Sequence, residues 1–173
     1  PAAPTVVLSL STFRFSELVA TWQRLLDAVD GLDLRVIATL GPAVTIGEVR
    51  VPRGIEVHEW MPHDELFPEA SLVVGHGGHG TTLAALAHGV PVLTLPLEPT
   101  SDQPRIGRAV ARAGVGATMS RRTEPATIRR AIRRTLADGP TRVRAQRLGD
   151  AIRAMDGPGR AADVLELSAA AAR

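Results

Sequence analysis

One segment constrains the fold of this chain more than any other: a glycine-rich junction between an apolar run and a helical one. Residues 71–86 read S-L-V-V-G-H-G-G-H-G-T-T-L-A-A-L. An apolar, β-branched run before the glycines and an apolar-periodic segment after them is the pattern of a strand feeding a helix. The alternation recurs. Residues 5–10 (TVVLSL) read as a strand. Residues 16–29 read as a helix, with Leu18, Val19, Trp22, Leu25, Leu26 and Val29 on its apolar side and Ser16 placed to cap it. Residues 34–40 (LRVIATL) read as a second strand ended by Gly41-Pro42, and residues 55–59 as a third. Beyond the junction, residues 81–88 read as a helix stopped by Gly89, 92–95 as a strand, 103–113 as a helix and 115–119 as a strand. Strands that are apolar throughout, separated by helices, predict an α/β fold with a doubly wound parallel sheet of about six strands.

The rest of the chain reads as helical. Ile128, Ala131, Ile132, Thr135 and Leu136 share one stripe, and Arg129, Arg130, Arg133 and Arg134 lie off it as a solvated face. Gly157-Pro158-Gly159 reads as a break before a last helix over residues 160–172, and an Ala-rich tail occupies residues 168–173.

At 173 residues the chain suits one domain with a sizeable core. Cysteines number 0, which removes disulfides and thiolate metal sites and agrees with a cytoplasmic setting. No apolar run reaches membrane-spanning length, and no signal-peptide pattern opens the chain. Arg is the one strong base, so few groups titrate between neutral pH and the pI near 10.7, and the net charge is only +2. That charge is too small to place the chain among nucleic-acid proteins.

The glycine junction carries the chemistry. A loop between a strand and a helix presents backbone N–H groups and the positive end of a helix dipole to an anion. Its glycines let a ligand approach the backbone, and Thr81 and Thr82 add hydroxyls. A phosphate site follows. His76, protonated or neutral and donating, stabilises charge on a diphosphate leaving group. His76 and His79 lack a third ligand, so no metal is expected. The loop also satisfies G-x-G-x-x-G through Gly75, Gly77 and Gly80, with Glu98 or Asp102 as the ribose-binding acid of an NAD-dependent oxidoreductase or epimerase. Against that alternative, the dinucleotide fingerprint belongs to the first strand–helix turn, whereas this loop follows the fourth strand. A non-catalytic nucleotide-binding module is a third alternative, with the face from Arg129 to Arg134 as its contact surface.

Residues 58–104 contain Trp60-x-Pro62, the loop His76-Gly77-Gly78-x-Gly80-Thr81, Gly89-Val90-Pro91 and the pair Asp102-Gln103. These pieces, in this order, resemble the donor-binding motif of family 1 glycosyltransferases, which include macrolide, enediyne and other antibiotic glycosyltransferases. The resemblance extends loosely over nearly the whole chain. It implies the Rossmann-like C-terminal half of a GT-B fold, with residues 1–173 as a nucleotide-sugar donor-binding domain. It implies inverting transfer of a sugar from a TDP- or UDP-sugar to a small natural-product hydroxyl, with no cofactor besides the donor. Trp60 is implied to stack on the base and the Met61 backbone to bind the base edge. His76, Gly78, Gly80, Thr81 and Thr82 would hold the diphosphate, with Ser11 or Thr12 adding a contact after the first strand. Asp102 and Gln103 would bind sugar hydroxyls. Gly75 departs from the His-His start of many relatives, and Ala84 from a ribose-binding Glu. The family's catalytic base lies in an N-terminal, acceptor-binding domain, so the resemblance implies that the base is to be expected outside residues 1–173. The isolated chain is therefore expected to bind nucleotide and to transfer sugar poorly. The terminal segment, residues 155–173, is expected to pack on that other domain and to dock poorly without it. Self-association through the apolar surface so left is a further expectation.

Overall fold

The computed structural model describes residues 3–171, so Pro1, Ala2, Ala172 and Arg173, which the domain range and the Ala-rich tail include, lie outside the described residues. Six strands form one sheet in the order β3-β2-β1-β4-β5-β6, all parallel. They are β1 (Thr5–Ser9), β2 (Arg35–Thr39), β3 (Ile55–His58), β4 (Leu72–Gly75), β5 (Val92–Thr94) and β6 (Gly116–Thr118). The helices between them are α1 (Leu18–Val29), α2 (His63–Leu66), α3 (His79–Ala87) and α4 (Gln103–Arg112). After β6 come α5 (Pro125–Ala137), α6 (Gly139–Ala154) and α7 (Gly157–Ala171). This is the doubly wound architecture that the strand–helix alternation predicts.

Both faces of the sheet are covered, which is why its central strands are apolar at successive positions, as in Val6-Val7-Leu8 of β1 and Leu72-Val73-Val74 of β4. On one face Val6 and Leu8 pack with Leu18, Trp22 and Leu25 of α1 and Ile128 and Ile132 of α5. On the other, Val7 and Val73 pack with Ala85 and Leu86 of α3, Val110 of α4 and Ala145 of α6. Each fully buried Leu, Ile or Val contributes about 1.5–3 kcal/mol. Gly89 ends α3 as expected: it sits at φ +72°, its N–H reaches the Leu86 carbonyl at 2.9 Å and the Val90 N–H reaches Ala85 at 3.0 Å.

Three local expectations change. Ser16 does not cap α1; the helix starts at Leu18, whose N–H is held instead by the Phe15 carbonyl at 3.1 Å. Arg129 is not a solvated residue. Its guanidinium donates to the carbonyls of Ala28 (2.8 Å), Asp27 (3.1 Å) and Asp30 (2.6 Å), so it closes the C-terminal end of α1, where carbonyls lack helical partners and favour a cation. The final break falls at Asp156, with φ +44°, and α7 already includes Gly157. A proline in a helix's first turn costs little, because its missing N–H would be unpaired there. From Arg160 to Ala170 every residue of α7 is exposed, with Leu165 and Leu167 each 71% accessible. Among the described residues no helix is long and apolar enough to cross a membrane.

Candidate functional site

The strand order places β1 beside β4, yet the chain leaves β1 toward β2 and leaves β4 toward β5. Open α/β sheets bind ligands in the crevice that such a reversal leaves at the C-terminal strand ends. Here the crevice lies where Ser9 pairs with Gly75. A cleft of about 110 Å³ opens at it, lined by Ser9, Leu10, Thr12, Thr39, Gly41, Glu59, Trp60, Met61, His63 and Thr81. A larger cavity of about 610 Å³ lies between β6 and α5, with Arg130 and Arg134 in its wall. Size does not decide between them. The smaller cleft combines the hydroxyl-bearing residues Ser9, Thr12, Thr39 and Thr81 with Trp60 and Met61, the mixture of polar groups and apolar surface typical of specific ligand sites.

The glycine loop is shaped by its surroundings. Gly77 is at φ +81°, and a Cβ there would stand 3.0 Å from the Gln103 carbonyl oxygen, so the loop rests directly on the start of α4. Gly78 is extended and precedes α3 without any side chain capping the helix. The N–H groups of the first turn are therefore open to an anion. Gly80 has ordinary helical φ, and a Cβ on it would meet nothing within 4 Å. A glycine inside a helix costs about 1 kcal/mol relative to alanine, and neither packing nor backbone conformation requires one here.

His76 lies over this turn. A Cβ on Gly78 would stand 2.5 Å from His76 Nε2 and 2.6 Å from Cε1, so only glycine leaves room for the ring. Nδ1 is buried without a hydrogen-bond partner. Burial pushes the His76 pKa down to about 4, with the charge of Asp102 opposing it. Of the two forms open from the sequence, the structure thus selects the neutral imidazole. That ring donates at one nitrogen and accepts at the other.

The remaining expected residues divide. Trp60 is 70% exposed at the cleft rim, with Met61, Thr12 and Thr81 in its wall. Ser11 is buried and its Oγ accepts the Phe13 N–H at 2.9 Å, so it shapes the loop that carries Thr12. Thr82 is not brought to the cleft. One residue on from Thr81, it turns about 100° around the helix. It is buried there and lines a separate recess with Leu83, Leu86, Ile106 and Val110. Asp102 is exposed and makes no capping bond to α4. Gln103 is buried, and its Oε1 accepts the N–H groups of Leu97 (2.8 Å) and Glu98 (3.1 Å). Its Oε1 is thus committed to the backbone, which leaves the NH₂ as the part of the amide able to meet a ligand. Glu98, a candidate ribose acid in the dinucleotide alternative, is engaged with the Thr100 N–H (3.0 Å) and hydroxyl (2.8 Å). The cleft also takes in Ser9, Leu10, Thr39, Gly41, Glu59 and His63, none of them expected as site residues from the sequence. Thr39 and Glu59 could have been found from position, since both stand at or just past the C-terminal end of a strand.

The family model "Erythromycin biosynthesis protein CIII-like, C-terminal domain" matches residues 23–167. The chain belongs to this family. Among curated relatives of the CIII-like domain, it is 31% identical over 142 residues to tylactone mycaminosyltransferase of Streptomyces fradiae, covering 80% of the chain and 31% of that protein. It is 34% identical over 135 residues to 4'-demethylrebeccamycin synthase of Lentzea aerocolonigenes, covering 78% of the chain and 31% of that protein. The chain thus spans about a third of the length of these relatives. Among solved structures, CalG4, the calicheamicin glycosyltransferase, superposes with a TM-score of 0.86 at 30% identity, covering 96% of this chain and 42% of that one. The glycosyltransferase VinC, solved in complex with DTDP, superposes at 0.73 with 26% identity over 88% of this chain and 39% of that one. These neighbours agree with the Rossmann-like, GT-B C-terminal fold, and no oxidoreductase is among the relatives named.

Proposed function

We propose that this CIII-like domain is the donor-binding half of an inverting glycosyltransferase that acts on small natural-product hydroxyls, with a TDP- or UDP-sugar as donor. The observation that carries the proposal is the uncapped first turn of α3, where Gly80 leaves an open approach, set between neutral His76 and Thr81 and facing exposed Trp60. In the reaction the bond from the anomeric carbon to the diphosphate oxygen breaks, and a bond from that carbon to the acceptor oxygen forms on the opposite face. The first-turn N–H groups, the Thr81 hydroxyl and a His76 N–H meet the charge that grows on the leaving diphosphate, which is stronger in the transition state than in the bound donor. The Trp60 ring offers the base a flat apolar face. Asp102 accepts from sugar hydroxyls and the Gln103 NH₂ donates to them. The acceptor's proton passes to a base on an acceptor-binding domain, and the step calls for no metal or cofactor. The terminal segment, residues 155–173, serves as the contact to an acceptor-binding domain. The proposed setting is the cytoplasm.

Trp fluorescence tests the base contact. Trp22 is fully buried in the core, so nucleotide-dependent quenching reports on Trp60. TDP is expected to quench the emission of the wild-type chain. In Trp60→Leu the quenching disappears and calorimetric affinity falls about tenfold, as for loss of one stacked base. Quenching that persists in the variant, or an unchanged affinity, would count against the assignment.

A further inference from the structure

The edge of the sheet at β6 lies apart from the donor cleft. β6 ends the strand order, so no strand pairs with it on the side away from β5. The Val92 N–H reaches the Val115 carbonyl at 3.1 Å, and the Met119 N–H reaches the Thr94 carbonyl at 2.8 Å. Residues 115, 117 and 119 thus turn their backbone groups toward β5. Successive residues of a strand alternate, so Gly116 and Thr118 turn their N–H and C=O groups outward. The sequence of β6, Gly116-Ala117-Thr118, carries no proline or charge that would block this edge.

Beside the edge runs the cavity of about 610 Å³, which shares no lining residue with the donor cleft. α5 packs chiefly on α1 and β4, which leaves a trough between it and β6. Ala117 and Met119, half-buried against the core, form the floor. Thr127, Arg130, Arg134 and Thr135 form the wall, at the spacing of one helix face. From Thr127 to Thr135 that face is about 12 Å long, the span of about four residues of extended chain. The wall is cationic. Arg130 and Arg134 are exposed, and among the described residues neither forms an ion pair. Asp138, the acid at the end of the trough, is committed to α6, where it accepts the Thr141 N–H at 3.1 Å and the Thr141 hydroxyl at 2.7 Å. Those bonds, with the charges of Arg144 and Arg134 behind them, hold its carboxyl below the usual range.

An open strand edge beside a groove captures peptides by strand addition: main-chain hydrogen bonds hold the segment, and alternate side chains enter the groove. We propose that this groove takes an extended acidic segment of a partner protein as a seventh strand, with its carboxylates on Arg130 and Arg134. The outward N–H and C=O groups of Gly116 and Thr118 match a second peptide backbone, which favours a peptide over a nucleic acid as the polyanion. The inference stands independently of the donor-site reading.

The test uses the whole chain and a fluorescein-labelled, end-capped heptapeptide of alternating valine and glutamate. One control peptide has glutamine for glutamate; another keeps the glutamates but has its backbone N–H groups methylated. Anisotropy should show saturable binding of the acidic peptide and about tenfold weaker binding to Arg130→Gln/Arg134→Gln, as for lost hydrogen bonds between charged groups. Both control peptides should bind at least tenfold more weakly to the wild type. In amide exchange on the wild type, Gly116 and Thr118 should become protected when the acidic peptide is added, while Ala117, already turned to β5, stays as it was. Failure of the acidic peptide to bind, or binding that leaves Gly116 and Thr118 unprotected, would overturn the inference. Equal binding of the methylated peptide would also overturn it, since charge alone would then hold the ligand. So would a single-stranded oligonucleotide that binds through Arg130 and Arg134 where the peptide does not.

Discussion

His76→Ala is expected to weaken binding of nucleoside diphosphates by about 10- to 100-fold, the range for losing one hydrogen bond to a charged group. Stability at neutral pH should hold or rise, because the substitution removes a buried ring whose Nδ1 has no partner. Gly78→Ala should reproduce the binding loss by another route. Its Cβ would stand 2.5 Å from His76 Nε2, so the ring must leave its place above the first turn of α3. Calorimetry on both variants, with urea unfolding as the control for stability, checks this. If both bind as the wild type does, the imidazole has no part in the diphosphate site. If only His76→Ala loses affinity, the ring reaches the ligand from another position.

The second large effect is on stability against pH. The unfolded chain protonates His76 near its ordinary value of 6.5, whereas burial holds the folded group at about 4. Between those values the unfolded state binds a proton that the folded state refuses. Stability therefore falls as pH drops below 6.5 and has fallen fully below 4, with no contribution above 6.5. From pH 7.5 to 5 the loss attributable to His76 is about 2 kcal/mol. His63 is also shifted down by burial and acts in the same direction, while Glu17, Glu48 and Asp138 are held low by hydrogen-bonding partners and titrate at more acid pH. The difference between wild type and His76→Gln cancels these. Unfolding midpoints at pH 7.5 and 5 should show the variant gaining stability relative to wild type at the lower pH. Parallel losses in the two proteins would mean that His76 is solvated and charged in the folded state.

The fold was legible because its signals are periodic. Val6-Val7-Leu8 and Leu72-Val73-Val74 are apolar on both faces, which only a doubly covered strand requires, and Gly89 stops α3 by the conformation that glycine alone adopts without cost. The glycine junction was legible from residue type as the passage from a strand to a helix, with Gly75 closing β4 and Gly80 lying in the first turn of α3. What escaped was decided by tertiary partners. Arg129 reads as one more surface arginine until the end of α1 arrives beside it. The Gln103 carbonyl is committed to the backbone of Leu97 and Glu98, a pairing that no spacing rule reveals. Thr82 carries the same hydroxyl as Thr81, but a single step around the helix sends it to the other side.

The donor assignment is tested most directly by calorimetric titration of this chain with UDP, TDP and NAD in parallel. Binding of one or both nucleoside diphosphates, with no heat from NAD, is the result it predicts. Binding of NAD with neither diphosphate would contradict it and return the glycine loop to a dinucleotide role; no binding of any of the three would show that the open turn of α3, His76 and Trp60 do not by themselves make a nucleotide site.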